Sequence, residues 1–122
     1  MSDKRKDRRF SASEALAVKD VATKLTIGLL QDISHHGLML TGKGPFKTNT
    51  SYKLKLMLPK AIMGHRAVEL DATCKWVAKN KEKKTLDAGF EFKPLKGELD
   101  LVIRFLEAEY AVNAIAIEID AQ

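Results

Sequence analysis

The chain has 122 residues and a mass of 13.6 kDa, with 45% apolar and 30% charged side chains: enough for one buried core and too little for a second domain. Its 21 Lys and Arg against 16 Asp and Glu leave a formal charge of +5, but residues 1–10 (MSDKRKDRRF) hold five bases and two acids, so the remaining residues carry 16 bases against 14 acids. A basic arm on a nearly neutral body argues against a surface built to neutralise many nucleic-acid phosphates; no apolar run reaches the length of a membrane span, and the lone Cys74 excludes an internal disulfide or thiolate cluster.

In chain order, the arm (1–10) leads into weakly marked strands at 15–21, 24–31 and 37–41 of a body spanning 11–122. Between the last two lies Asp32-Ile33-Ser34-His35-His36-Gly37, a run of turn-forming residues on a tight connection. Gly42, Gly44 and Pro45 mark a turn before a strand at 52–58, where Tyr52, Leu54, Leu56 and Leu58 alternate with Lys53 and Lys55, and Pro59 and Gly64 mark its end. The clearest alternation, in 67–78, sets Val68, Leu70, Ala72, Cys74, Trp76 and Ala78 against Glu69, Asp71, Thr73 and Lys75; it assigns Trp76 to core packing and makes Cys74 a small buried hydrophobe. Lys79 to Lys84 reads as a solvated hairpin loop before the strand 86–92, in which Leu86, Ala88, Phe90 and Phe92 alternate with Asp87, Gly89 and Glu91.

From Glu98 the period changes: Leu99, Val102, Ile103, Leu106 and Tyr110 fall on one helical stripe, with Glu98 and Asp100 suited to the positive end of the helix. Residues 114–120 are ambiguous, because Ile115, Ile117 and Ile119 alternate like a strand while the alanines tolerate helix; a continued or frayed helix is the reading adopted. Connections this short exclude βαβ crossovers. The expected fold is mainly β: a single small antiparallel barrel of about six strands with a C-terminal helix packed on it.

The pattern D-x-S-x-x-G at Asp32, Ser34 and Gly37 has, on its own, a plain reading as a structural turn. It does not stand alone, because Arg5-Lys6-Asp7-Arg8-Arg9 supplies R-x-x-x-R, and 22 residues separate Arg9 from Asp32. With this two-part pattern, the Gly89-Phe90-Glu91-Phe92 strand and the C-terminal helix, the sequence resembles the PilZ domain family. The resemblance implies a bacterial, cytoplasmic receptor for the second messenger cyclic di-GMP, acting as a single-domain adaptor on an unidentified downstream protein in motility, adhesion or exopolysaccharide control. It assigns Arg5, Arg9, Asp32, Ser34 and Gly37 to ligand binding, with Arg8 as an additional contact and His35 and His36 as candidate pocket residues. A second register, Arg8-Arg9-Phe10, also fits family members with paired arginines and puts Ala12 or Ser13 where the last arginine belongs.

The residue chemistry suits that ligand. Guanine O6 and N7 are adjacent acceptors that match the donor fork of arginine, the phosphodiesters pair with guanidinium, and the N1 and N2 hydrogens need an acceptor-only partner such as Asp32. A PilZ-fold adaptor that has lost nucleotide binding, and a small nucleic-acid binder using the arm, are the competing readings. Three histidines (His35, His36, His65) do not make a metal site by spacing, since neighbours on an extended chain point to opposite sides, so no metal or cofactor is expected. Neither a phosphate-binding glycine loop nor an H-E-x-x-H motif is present, and the cysteine lies on a core face, so no enzyme is expected.

Overall fold

Alternating apolar and polar residues make strands with one buried face, and six of them close the problem of unpaired edges by closing on each other. The computed structural model describes residues 16–82 and 84–121; the N-terminal arm and its arginines lie outside them. The strands are β1 (Ala17–Asp20), β2 (Leu25–Ile33), β3 (Gly37–Gly42), β4 (Ser51–Ile62), β5 (His65–Asn80) and β6 (Thr85–Glu91), followed by α1 (Glu98–Ala121). They form a closed antiparallel barrel in the order β1-β2-β3-β6-β5-β4, with β1 pairing β4 to complete the circuit.

The core is a single apolar cluster filled from every strand. Val18, Leu40, Leu54, Leu56 and Ala88 have no accessible surface, and Val102, Ile103 and Leu106 of α1 close over them. Burying a leucine or isoleucine side chain stabilises by about 1.5–3 kcal/mol, so this cluster is the main source of stability. α1 packs on β2. Two histidine–carboxylate contacts tie it to the barrel: His65 Nε2 lies 2.6 Å from Glu98 Oε1, and His35 Nδ1 lies 3.9 Å from Glu107 Oε1. Helix also covers residues 114–120, as expected from the alanines rather than from the isoleucine alternation.

Two sequence expectations change. Pro59 does not end its strand: β4 runs on to Ile62, and the β4–β5 ladder is irregular between Met57 and Ile62, where a residue without an N–H is tolerated. Trp76 is not a core residue. It is 44% exposed, because the β5–β6 register shifts between Cys74 and Trp76: Cys74 faces Phe90 and Trp76 faces Gly89, leaving Lys75 as the extra residue. Such a bulge inverts the alternation beyond it, so Cys74 is fully buried, Trp76 points out, and Val77 turns toward the core.

Burial pushes the Cys74 thiol above its ordinary pKa, and the thiol donates a weak hydrogen bond to the Trp76 carbonyl at 3.7 Å. A thiol held neutral and inaccessible is inert. In the folded protein Cys74 is therefore expected to react with a colorimetric disulfide reagent at the slow rate of protein opening, and within the mixing time in concentrated urea. Immediate stoichiometric reaction of the native protein would contradict this placement.

Candidate functional site

A second register shift, between Leu30 and Asp32, orients the other side of the site. Leu30 and Ile33 are both buried although three residues apart; the extra residue Gln31 absorbs the mismatch and leaves the Asp32 side chain on the outer surface. The two bulges act together. Across four neighbouring strands, Asp32 pairs with Met39, Met39 with Gly89 and Gly89 with Trp76, so one transverse row carries a carboxylate at one end and an indole at the other.

Gly89 is the reason the row is not flat. A Cβ built on it would overlap the Trp76 ring, whose Nε1, Cε2 and Cδ1 lie directly over the glycine. The missing side chain thus lets the indole lie against the barrel instead of standing away from it. Next to the row, Asp32, Ser34, Gly37, Met39, Lys75 and Trp76 line an open groove of roughly 320 Å³.

The turn from β2 to β3 holds the polar end of this groove. The Ser34 N–H donates to the Gly37 carbonyl at 2.8 Å, and the Ser34 hydroxyl accepts from the His36 N–H at 3.4 Å, which closes a compact turn. The Ile33 N–H donates to Asp32 Oδ1 at 2.9 Å, steadying the carboxylate while its other oxygen has no protein partner among the described residues. The Phe92 N–H donates to the His36 carbonyl at 3.0 Å and anchors the turn to the end of β6. A Cβ at position 37 would come within 3.1 Å of the Phe90 carbonyl oxygen, tighter than an ordinary contact, so glycine allows the turn to sit close on β6. At the far side, Lys75 Nζ lies 3.8 Å from Glu91 Oε1, both groups half exposed or more. That pair is weak and easily exchanged for another anion.

Asp32, Ser34 and Gly37 therefore lie together, as the sequence pattern implies, while Arg5, Arg8 and Arg9 fall outside the described residues. His35 and His36 belong to the same turn, but they do not diverge as neighbours on an extended chain do. The backbone bends there, and their rings meet edge to face with centroids 4.5 Å apart. His65 is elsewhere, against Glu98, and no three metal-ligating side chains converge among the described residues. Sequence reasoning missed Lys75 and Trp76. The available signal was Gly89, an interior strand glycine that marks a close approach by something larger.

The groove thus offers an acceptor-only carboxylate, a hydroxyl, a cation and an exposed flat aromatic ring, a set suited to a polar, planar, anionic molecule. Comparison with known proteins agrees in fold. The model of the PilZ domain matches residues 3–108. A solved structure, that of the Bacillus subtilis Inhibitor of motility (MotI/DgrA), is similar with a TM-score of 0.62 and 15% sequence identity, over 81% of this chain and 47% of that one, so this chain spans about half of that protein's length. No curated protein matches the sequence.

Proposed function

The chain belongs to the PilZ domain family, and from that premise we propose that it is a receptor for cyclic di-GMP that signals by binding and performs no catalysis. The observation that carries this reading is the transverse row from Asp32 to Trp76 beside the Ser34–Gly37 turn. In it, Asp32 accepts from guanine N1–H and N2–H, and Ser34 adds a donor or acceptor at the same edge. Trp76 stacks on a purine face, an interaction worth about 1–3 kcal/mol per base. Lys75 leaves Glu91 for a phosphodiester oxygen. Arg5 and Arg9, with Arg8, supply the donor forks for guanine O6 and N7 and for the phosphates, closing the arm over the groove.

Closure of the arm is the signal in this mechanism. Contacts made only in the closed state shift the arm by their full differential affinity, which changes the charge and shape that a downstream protein reads. No described helix is long and apolar enough to cross a membrane.

Titration calorimetry of the whole chain with cyclic di-GMP tests the reading. Binding in the micromolar range or tighter is expected, and the double change Arg5→Lys with Arg9→Lys, which keeps charge and loses the planar fork, should weaken it at least ten-fold. Absence of heat at tens of micromolar ligand in low salt would favour the adaptor that has lost nucleotide binding, which the Arg8-Arg9-Phe10 register supports. Equal binding of random oligonucleotides, falling steeply with salt, would instead favour the nucleic-acid reading.

A further inference from the structure

Among its described side chains, α1 carries two apolar stripes, of which the barrel covers one. Val102, Ile103 and Leu106 are buried against the barrel, with Leu99 beside them. Leu101 and Phe105 occupy the other side of the helix and are 52% and 47% exposed; Ala108, next along that side, is exposed as well. Single exposed leucines are ordinary on protein surfaces. The spacing here is not random, since four residues separate Leu101 from Phe105 and three separate Phe105 from Ala108, the interval of a coiled-coil seam.

The sequence keeps that interval to the end of the helix. After Ala108 the same positions are Val112, Ile115 and Ile119, and α1 is continuous to Ala121. Among the described side chains the last one buried on the barrel is Leu106, and α1 runs on for 15 residues after it. At about 1.5 Å per residue, that is some 22 Å of helix with the seam spacing intact.

We propose that this outward stripe of α1 is a homodimer interface, in which the helices of two copies pair along Leu101, Phe105, Ala108, Val112, Ile115 and Ile119. A second copy is the occupant the chemistry favours, because a seam with this period is complementary to itself and a two-fold axis brings the same stripe to both sides. The flanking charges agree. Arg104 and Glu109 border the seam on opposite sides, five residues apart, the offset at which two parallel helices place opposite charges across their interface. The Arg104 side chain is 60% exposed and donates a hydrogen bond to Asp100 on the same helix at 2.9 Å. Because the stripe lies away from the buried one, each barrel sits outside the helix pair.

Sedimentation equilibrium of the full chain at tens of micromolar tests this. The expected mass is twice the 13.6 kDa of one chain. The double change Leu101→Asp with Ile115→Asp should return one chain mass, weakening association at least a hundred-fold, because charges would be buried in an apolar seam. A second pair, Leu101→Asp with Phe105→Asp, lies wholly on the stretch held to the barrel by Val102, Ile103 and Leu106, and should give the same result with an unchanged far-ultraviolet circular dichroism spectrum. A wild-type chain at single mass throughout, or a dimer indifferent to both pairs, overturns the proposal. Both variants should retain the wild-type affinity for cyclic di-GMP, which separates this inference from the nucleotide reading.

Discussion

Asp32→Ala is expected to weaken cyclic di-GMP binding by about ten-fold to more than a hundred-fold, the effect of losing hydrogen bonds in which one partner is charged, at roughly 1.5–3 kcal/mol. The size follows from an asymmetry. Guanine N1–H and N2–H are donors only, and a groove without the carboxylate leaves them facing a methyl group with no acceptor at that position. Asp32 is exposed, and among the described residues its carboxylate accepts one hydrogen bond, from the neighbouring Ile33 N–H, so the fold should survive the change. Asp32→Asn is a sharper probe, because it keeps shape and one acceptor but presents an NH₂ toward a donor. Calorimetry on both variants, with thermal melts as the control, decides the point. Affinity within two-fold of wild type for both would remove Asp32 from the site. Trp76→Ala should act independently from the opposite end of the row, where stacking is lost rather than a charge-assisted bond.

Leu40→Ala carries the largest expected effect on stability. Leu40 has no accessible surface and sits at the middle of the barrel, paired with Leu30 on one side and Ala88 on the other. Truncating a leucine in such a place costs about 2–5 kcal/mol, from the lost transfer energy and from a cavity that a closed barrel collapses poorly. Domains of this size have about 5–15 kcal/mol in all, so the variant should be partly unfolded at modest urea concentrations. The urea midpoint should fall with an unchanged slope. As the internal control, Glu69→Ala on the exposed face of β5 should change stability by less than about 0.5 kcal/mol. A Leu40 variant as stable as that control would mean the barrel interior is not the cluster described. Its neighbour Met39 faces the opposite way, into the groove. Core and groove are thus two sides of the same strand, and loss of packing at Leu40 should lower any affinity of the groove only through the unfolded fraction.

Much of this was legible in the chain itself. Alternation located all six strands to within a few residues, and the helix followed from a change of period at Glu98. The turn residues Asp32, Ser34 and Gly37 were readable because their chemistry is local: a carboxylate, a hydroxyl and a glycine within one connection need only their neighbours to form a turn. Cys74 was correctly placed in the core. Trp76, two residues on, was not, although the same alternation assigned both.

The difference between those two residues separates what sequence determines from what tertiary structure decides. A two-residue period and a polar turn are local properties, set by how the backbone alternates and by which side chains bond nearby amides, and they fixed the barrel, its helix and half of the site. The bulges at Gln31 and Lys75 are not local. Each exists because a partner strand sets the register on both sides of it, so the extra residue is absorbed where the pairing, and not the strand's own composition, requires. Only closure of the barrel turned Asp32 and Trp76 to the same outer face and set Gly89 beneath the indole, joining residues 44 positions apart into one row.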